Sequence, residues 1–318
     1  MSKEVGLKVS VLASGSTGNA TYIETPKQKL LIDAGLSGKK IEGLMNSIGR
    51  TLKDVDKLLV THEHSDHIKG VGVLARRYGL DVYANEKTWE QMAPKIGQVK
   101  TEQKHIFERE TVQTFGDLDV QSFGVSHDAT DPQFYEVHYA GKSFAIVTDT
   151  GYVSDRVKGI VENADGYLFE CNHDTEMLRA GIYPWSLKQR ILSDQGHLSN
   201  EDSADRVKGI VENADGYLFE CNHDTEMLRA GIYPWSLKQR ILSDQGHLSN
   251  EDSANALMSV LGTRTKQIYL GHLSQENNVK ELAHLTVKRQ MQAKDFGVDQ
   301  DFCLLDTDPA QATELTVL

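Results

Sequence analysis

The first part of the chain alternates short apolar runs with turn residues. Three runs rich in β-branched residues and bounded by Gly, Asn or Pro-Lys predict strands: Leu7 to Ala13, Ala20 to Ile23 and Lys29 to Ile32. Apolar residues spaced three and four apart from Ser37 to Ile48 predict a helix that ends at Gly49. Lys57 to Val60 predicts a buried strand, which ends just before a histidine-rich segment.

The rest of the chain continues with helices and strands in mixed order. Ile68 to Tyr78 predicts a helix closed by Gly79, and Glu86 to Met92 a helix that stops at Pro94. Further strands are predicted at Asp81 to Ala84, Val112 to Phe115, Asp119 to Val125, Phe134 to Tyr139, Ser143 to Thr148 and Gln267 to Leu270, and a last helix at Val279 to Met291. This order predicts an α+β fold, with two mixed β-sheets flanked by helices. Because no Gly/Ser-rich or Pro-rich linker interrupts the chain, we expect residues 1–318 to form a single domain.

One block of the chain occurs twice. Residues 155–204 recur letter for letter as residues 205–254. Because the two copies have not diverged, we interpret them as a recent tandem duplication, an engineered insertion or an assembly error rather than a working repeat array. A close-packed core has room for one copy of each element. We therefore expect one copy, or a hybrid of the two, in the core, with the surplus looped out, packed on the surface or exchanged in a domain-swapped dimer.

Composition narrows the function classes. Acidic residues outnumber basic ones by 46 to 34, for a formal net charge of −12 at pH 7, so any nucleic-acid chemistry must rest on a local site rather than a basic surface. No apolar run approaches the roughly 20 residues that span a bilayer, and no signal-peptide core is present, so we expect a cytoplasmic protein without a membrane partner. The three cysteines, of which Cys171 and Cys221 are one residue of the repeat, exclude a disulfide framework.

The segment Thr61-His62-Glu63-His64-Ser65-Asp66-His67 concentrates four potential metal ligands. His62 and His64 point the same way in an extended segment, and Asp66 and His67, at the start of the next helix, turn toward a neighbouring point. Imidazole nitrogens suit Zn, Mn or Fe, and a carboxylate can bridge two ions in a hydrolytic site. The pattern predicts a site for two divalent metal ions, Zn or Mn, with Fe also compatible.

This segment is similar to the His-x-His-x-Asp-His signature of the metallo-β-lactamase superfamily. The resemblance implies that family's fold, an αβ/βα sandwich of two mixed β-sheets flanked by helices. It also implies later ligands at the ends of strands: His127, Asp149 and His272. On this basis His62, His64 and His127 would hold one ion, and Asp66, His67 and His272 the other. Asp149 and a water-derived hydroxide would be shared between the ions.

The resemblance also implies roles for residues around the metals. Asp66 and Asp149 would serve catalysis, and His197 or its repeat copy His247 would donate a proton to the leaving oxygen or bind the scissile phosphate. Asp33, in Leu31-Ile32-Asp33-Ala34-Gly35, would orient the ligand loop without binding metal, unless it is a plain turn aspartate. A turn-capping role for the two histidines is the competing interpretation.

Within the superfamily the chain resembles the bacterial YycJ/WalJ type, regarded as metal-dependent exonucleases acting on DNA from the 5′ end. The matching motifs are Ala13-Ser14-Gly15-Ser16-Thr17-Gly18-Asn19-Ala20, Ser126-His127-Asp128, Glu170-Cys171-Asn172-His173-Asp174, Gly196-His197-Leu198-Ser199-Asn200, and His272-Leu273-Ser274 with Asn277-Asn278. Small residues in the first motif expose backbone N–H groups, so the loop can cradle a phosphate, with an ordinary tight turn as the alternative. The expected substrate contacts are Ser14, Ser16, Gly18, Asn19 and Ser274.

Three functional hypotheses follow. The leading one is a two-metal phosphodiesterase, a DNA exonuclease that acts from the 5′ end. The second keeps the site but hydrolyses a small molecule such as a cyclic phosphodiester, a lactone or a thioester, which the net charge of −12 slightly favours. The third is an inactive chain in which the repeated residues prevent His272 from reaching the other ligands.

Overall fold

Two mixed β-sheets flanked by helices make up the computed structural model of the chain, and they confirm the predicted fold class. The strand order is β15-β1-β2-β3-β4-β5-β6 in the seven-stranded sheet and β14-β13-β12-β11-β10-β9-β8-β7 in the eight-stranded sheet. The strands are β1 Lys8–Ala13, β2 Ala20–Glu24, β3 Lys29–Ile32, β4 Lys57–Leu59, β5 Asp81–Ala84, β6 Lys104–Ile106, β7 Val112–Phe115, β8 Leu118–Gly124, β9 Gln133–Tyr139, β10 Lys142–Val147, β11 Gly166–Phe169, β12 Gly216–Glu220, β13 Gln267–Gly271, β14 Cys303–Asp306 and β15 Thr316–Val317.

The structure describes residues 6–15, 17–150, 153–169, 214–221, 223–235, 238, 249–271, 273–274, 276–307 and 311–318. The chain forms two compact units. Unit 1 comprises Met1–Val125, Ala129–Phe144 and Asp308–Leu318, and unit 2 comprises Ser126–Asp128 and Ala145–Thr307. The α-helices are α1 Gly38–Ser47, α2 Ser65–Ile68, α3 Val71–Tyr78, α4 Glu86–Ile96, α5 Asp155–Val161, α6 Thr225–Ala230, α7 Asn250–Val260 and α8 Lys280–Gln292. Every helix among the described residues is too short or too polar to span a bilayer.

The seven-stranded sheet of unit 1 changes from antiparallel to parallel pairing at β3. Strands β1, β2 and β3 pair antiparallel, with Ser10 opposite Tyr22 and Ile23 opposite Leu30. Strands β3, β4, β5 and β6 pair parallel, and Ile32 lies opposite Leu59. The carboxyl ends of parallel strands lie at one edge of a sheet, where functional loops gather. The segments that follow β3 and β4 are therefore neighbours.

The core of unit 1 forms where the apolar faces of α1, α3 and α4 cover this sheet. Helix α1 buries the residues whose spacing predicted it, including Ile41, Leu44 and Met45. They join Leu58 of β4 and Leu74 of α3 in one cluster. Burial of such an apolar stripe, at roughly 25 cal/mol per Å², is the main source of stability for an amphipathic helix.

Helix α4 extends beyond its predicted end, so the prediction that it stops at Pro94 is wrong. It runs to Ile96 with Pro94 inside its last turn. Proline removes one backbone donor, but buried Met92 and Ile96 hold the last two turns against the core. The helix ends instead at Gly97, whose φ of 74° is a left-handed conformation that glycine adopts without strain.

Unit 2 contains parallel strands from both copies of the repeat. Strand β11 comes from the first copy and β12 from the second, and they pair in register, with Gly166 opposite Gly216. Each copy also forms the same hydrogen bond between the backbone just before its strand and the tyrosine of the strand. The Ala164 N–H donates to the Tyr167 hydroxyl and the Ala214 N–H to the Tyr217 hydroxyl, both at 2.9 Å.

The sheet therefore holds this strand from both copies rather than from one. A strand offers hydrogen-bonding groups along both edges, so an identical segment can pair beside it without a change of register. Residues 170–213 lie outside the described residues. The position of the other repeated residues stays a prediction. The domain-swapped dimer and the single-domain organisation also stay predictions.

A buried polar network in unit 1 supports the chain just before the histidine segment. The Tyr135 hydroxyl donates to the Val60 carbonyl at 2.8 Å and accepts from Gln133 Nε2 at 2.8 Å. The Gln133 N–H donates to the Thr61 carbonyl at 3.2 Å. Burial raises the pKa of the Tyr135 hydroxyl above its usual range, so it stays a neutral donor.

Replacing Tyr135→Phe should lower the free energy of unfolding by about 1–3 kcal/mol, because it leaves buried polar partners unsatisfied. Tyr78→Phe is the matched control, since its hydroxyl donates to Glu42 at 2.7 Å in a half-buried position. We expect the control to change stability by about 0.5 kcal/mol or less. Denaturant unfolding measures the free energy of unfolding of both variants. Equal losses would contradict the role of the Tyr135 hydroxyl in supporting the chain before the histidine segment.

Candidate metal centre

The histidine segment of unit 1 begins as extended chain after β4 and ends in α2. The Val60 N–H donates to the Tyr83 carbonyl at 2.8 Å and continues the sheet beyond Leu59. His64 precedes the first residue of α2, and its carbonyl accepts from the His67 N–H at 3.0 Å. His62 and His67 are fully buried. The strand end and the short helix thus place two imidazoles inside the protein.

Asp33 holds the segment from the neighbouring strand end. Its Oδ1 accepts from the Thr61 N–H at 2.9 Å, and its Oδ2 accepts from the Thr61 hydroxyl at 2.8 Å. Oδ2 also lies 2.8 Å from His67 Nδ1. A carboxylate accepts only, so Nδ1 carries the proton and Nε2 is the nitrogen suited to a metal. These contacts support the predicted orienting role of Asp33.

Thr61 links the same carboxylate to the first histidine. Its hydroxyl donates to Asp33 and lies 3.0 Å from His62 Nδ1. Because the single hydroxyl proton is used on Asp33, the Thr61 oxygen accepts from His62 Nδ1–H. Nε2 of His62 is then also the nitrogen suited to a metal. Sequence analysis did not identify this residue, although its position between the strand and His62 was the available signal.

The backbone conformation of Asp33 is unusual for its residue type. Its φ of 60° lies in the left-handed region, which costs a non-glycine residue free energy. Gly35, two residues later, packs so close to the histidine segment that a Cβ would lie 1.6 Å from the Asp66 carbonyl oxygen. The turn after β3 is therefore shaped to fit against this segment.

Asn19 attaches the predicted phosphate loop to the same segment. Its Nδ2 lies 3.0 Å from His67 Nε2 and donates to the Gly15 carbonyl at 3.2 Å, and its Oδ1 accepts from the Gly15 N–H at 2.9 Å. The Asn19 N–H donates to the Asp66 carbonyl at 2.7 Å. Ser14 is exposed on this loop and Gly18 is buried in it, whereas Ser16 lies outside the described residues.

In unit 1, His62 Nε2 lies 3.1 Å from His64 Nδ1, and the ring centroids of His62 and His67 are 4.1 Å apart. In unit 2, His127 Nε2 lies 3.3 Å from Asp128 Oδ1. Asp149, like Asp33, has a left-handed backbone, with a φ of 46°. Imidazole and carboxylate donors at this spacing fit divalent ions such as Zn, Mn or Fe. Unit 1 therefore brings together four of the seven predicted ligands, His62, His64, Asp66 and His67, whereas His127 and Asp149 belong to unit 2.

The other predicted site residues are placed as follows. Asp66 Oδ2 lies 3.6 Å from His67 Nε2 in unit 1. Ser274 lies in the loop after β13, where its hydroxyl accepts from the Asn277 N–H at 3.2 Å. The predictions for His197, His247 and His272 lie outside the described residues.

Glu63 is a second residue that sequence analysis did not single out. It is buried, and its Oε1 accepts from the Thr130 N–H at 2.8 Å and from the Thr130 hydroxyl at 2.7 Å. Lys95 donates to the Glu63 carbonyl at 3.1 Å. Because Glu63 lies between His62 and His64, its side chain points to the opposite side of the extended segment. There it holds the chain around Thr130 in place.

The chain belongs to the Metallo-beta-lactamase superfamily, whose sequence profile matches residues 13–209. It is 53% identical over 315 residues to the exodeoxyribonuclease WalJ of Streptococcus pneumoniae serotype 2 (strain D39 / NCTC 7466), a match that covers 98% of each chain. It is 47% identical over 311 residues to the exodeoxyribonuclease YycJ of Bacillus anthracis, covering 98% of this chain and 99% of the relative. Among solved structures, the metallo-beta-lactamase fold protein YhfI from Bacillus subtilis has 14% identity and a TM-score of 0.49, over 97% of this chain and 99% of that one.

Asp33→Asn should weaken metal binding about 10–100-fold, because the amide keeps the shape of the side chain but loses the charge that orients His67. Competition with a chromogenic chelator measures the affinity. Asp56→Asn is the control, since this exposed residue has a carboxylate that accepts from the Lys29 N–H at 2.8 Å. Equal affinities in the two variants would contradict the orienting role.

Proposed function

We propose that this protein is a metal-dependent exodeoxyribonuclease. The observation that carries the proposal is the near-full-length similarity to two relatives named exodeoxyribonucleases. The grouped imidazoles of His62, His64 and His67 supply ligands of the kind that the chemistry needs. A shared fold alone would not support an activity, because one fold hosts many reactions. Here the site and the sequence similarity both support a metal-dependent nuclease.

We propose two divalent ions per chain, with His62, His64 and His127 as ligands of one and His67, Asp66 and His272 as ligands of the other, as the resemblance implies. Asp149 would be shared between them. When bound, such ions would supply activation of a water molecule and stabilisation of negative charge on the phosphoryl oxygens. Asp33 and Thr61 keep the ring nitrogens of His67 and His62 in the tautomers that binding needs.

The chain's own contacts also support a place for the phosphate. The Ser14 to Asn19 loop is bonded through Asn19 to Asp66 and His67, so a phosphate on this loop would lie beside the ligand segment. This local arrangement suits DNA binding by a chain whose net charge is −12. Ser14, Ser16, Gly18, Asn19 and Ser274 are the proposed substrate contacts, and His197 or His247 the proposed proton donor.

The direction of cleavage is part of the proposal. We expect degradation from the 5′ end, in line with the resemblance to the YycJ/WalJ type. DNA labelled at the 5′ end should lose its label at once, whereas the same strand labelled at the 3′ end should shorten gradually. Early release of a 3′ label would contradict this direction.

Hydrolysis of a small phosphodiester is the second candidate. The net charge of −12 favours it, since an acidic surface repels a long phosphate backbone more than a small substrate. Turnover of a cyclic phosphodiester that competing DNA leaves unchanged would favour this candidate over the exonuclease.

Asp149→Ala should lower the rate of metal-dependent DNA degradation by more than the roughly 10–100-fold typical of residues that only support a ligand, because it removes a ligand itself. Asp295→Ala is the matched control. Asp295 has a similar left-handed backbone, with a φ of 61°, but is exposed after α8. Gel analysis of labelled DNA measures both variants, with circular dichroism to verify folding. Activity retained in Asp149→Ala would refute the proposal.

A further inference from the structure

Asn19 lies between two groups to which the proposed function gives different tasks. Its Oδ1 accepts from the Gly15 N–H at 2.9 Å, on the loop proposed to bind phosphate. Its Nδ2 lies 3.0 Å from His67 Nε2 and 3.4 Å from Asp66 Oδ2, two of the proposed metal ligands. All four residues lie in unit 1. One side-chain amide therefore connects the loop to the ligand segment.

Gly15 determines the orientation of this amide. The Gly15 N–H meets the Asn19 oxygen, and the Gly15 carbonyl accepts from Asn19 Nδ2 at 3.2 Å. A flipped amide would place its nitrogen against the N–H and its oxygen against the carbonyl, so both hydrogen bonds would be lost. The nitrogen of the Asn19 amide is therefore the atom that faces His67.

His67 offers this nitrogen a single lone pair. Asp33 Oδ2 lies 2.8 Å from His67 Nδ1, which carries the proton, so Nε2 is the acceptor. The ring is fully buried, and the His67 carbonyl accepts from the Ala34 N–H at 2.8 Å. The lone pair that accepts from Asn19 is also the one suited to a metal ion. An amide donor and a metal ion cannot use it at the same time.

Release of the amide from His67 also changes its contact with Gly15. A cation bound to Nε2 would repel the amide hydrogens of Asn19, because these carry partial positive charge. The amide can then turn away from the ligand segment, or flip so that its oxygen faces the cation. Either movement takes Oδ1 away from the Gly15 N–H. Since Gly15 is exposed, its N–H then becomes available to a phosphate oxygen.

The backbone around Asn19 is held by bonds that do not involve its side chain. The Gly18 N–H donates to the Gly15 carbonyl at 3.0 Å, and the Asn19 N–H donates to the Asp66 carbonyl at 2.7 Å. The Gly35 N–H donates to the Asn19 carbonyl at 2.8 Å. The backbone can therefore stay in place while the amide moves.

We propose that the Asn19 amide couples metal binding to phosphate binding: a divalent ion on His67 displaces the amide, and its displacement releases the Gly15 N–H for a phosphate oxygen. An ion on His67 thereby raises the affinity for phosphate, and phosphate in return raises the affinity for the ion. Asn19 is a positioning residue in this scheme. The inference rests on the metal and phosphate sites of the proposed function, but its test needs no DNA.

The first experiment measures Zn²⁺ affinity by competition with a chromogenic chelator. Asn19→Ala removes the amide that competes for His67 Nε2. We therefore expect Zn²⁺ to bind about 2–10-fold more tightly at one site, the effect of losing one hydrogen bond that the ion must otherwise displace. Removal of a residue that only held the ligands in place would lower the affinity instead. Unchanged or weaker binding overturns the proposal.

Asn46→Ala is the matched control for this experiment. Asn46 is exposed on α1, so the same substitution there should leave the Zn²⁺ affinity unchanged. Tighter binding of equal size in both variants would overturn the proposal, because the gain would not come from the contact with His67.

The second experiment uses the unaltered chain and decides the question if Asn19→Ala does not fold. Nuclear magnetic resonance of protein with isotope-labelled glycine follows the exchange of the Gly15 amide hydrogen with water. We expect Zn²⁺ to make this exchange about 5-fold faster or more, at the lower end of typical coupling between two sites. The Gly18 amide is the internal control, since its bond to the Gly15 carbonyl does not involve the Asn19 side chain.

Slower or unchanged exchange at Gly15 overturns the proposal, because an ion that only stabilised the loop would slow the exchange of both glycines. Degradation of DNA is measured on the same samples. Faster exchange at Gly15 without DNA degradation would contradict the proposed function and leave this inference standing. DNA degradation with Gly15 exchange unaffected by Zn²⁺ would overturn this inference alone.

Discussion

The Asp33 carboxylate is the contact on which the candidate site depends. It accepts from the Thr61 backbone, the Thr61 hydroxyl and His67 Nδ1, and so connects the ends of β3 and β4. Asp33 must adopt a left-handed backbone to do this. The three hydrogen bonds, made in a buried place where they are strong, offset that strain. Without them, His62 and His67 would keep neither tautomer nor direction.

Parallel pairing explains why residues distant in sequence share this site. Asp33 follows β3 and Thr61 follows β4, and parallel pairing places these strand ends side by side. Asn19 then attaches the loop after β1 to the same edge through Asp66 and His67. The edge of the sheet thus carries both the ligand segment and the loop proposed to bind phosphate.

The repeat shows how differently a sheet and a metal site respond to added residues. Pairing is local, so β11 can be added beside β12 with every hydrogen bond of the ladder repeated. A metal site is not local, because its ligands come from separate strands whose spacing must be kept.

Spacing along the sequence predicted β1 to β5, β7 to β10 and β13, the apolar face of α1 and the clustering of His62, His64, Asp66 and His67, because each depends on neighbouring residues. It did not predict β6, β11, β12, β14 or β15. Resemblance to a family, rather than spacing, indicated His127 and Asp149. Only the tertiary structure decided that Thr61 and Asn19 contact the histidines, that α4 continues past Pro94, and that both copies of one strand enter the sheet. These outcomes depend on which segments pack or pair with one another, and a linear pattern does not contain that information.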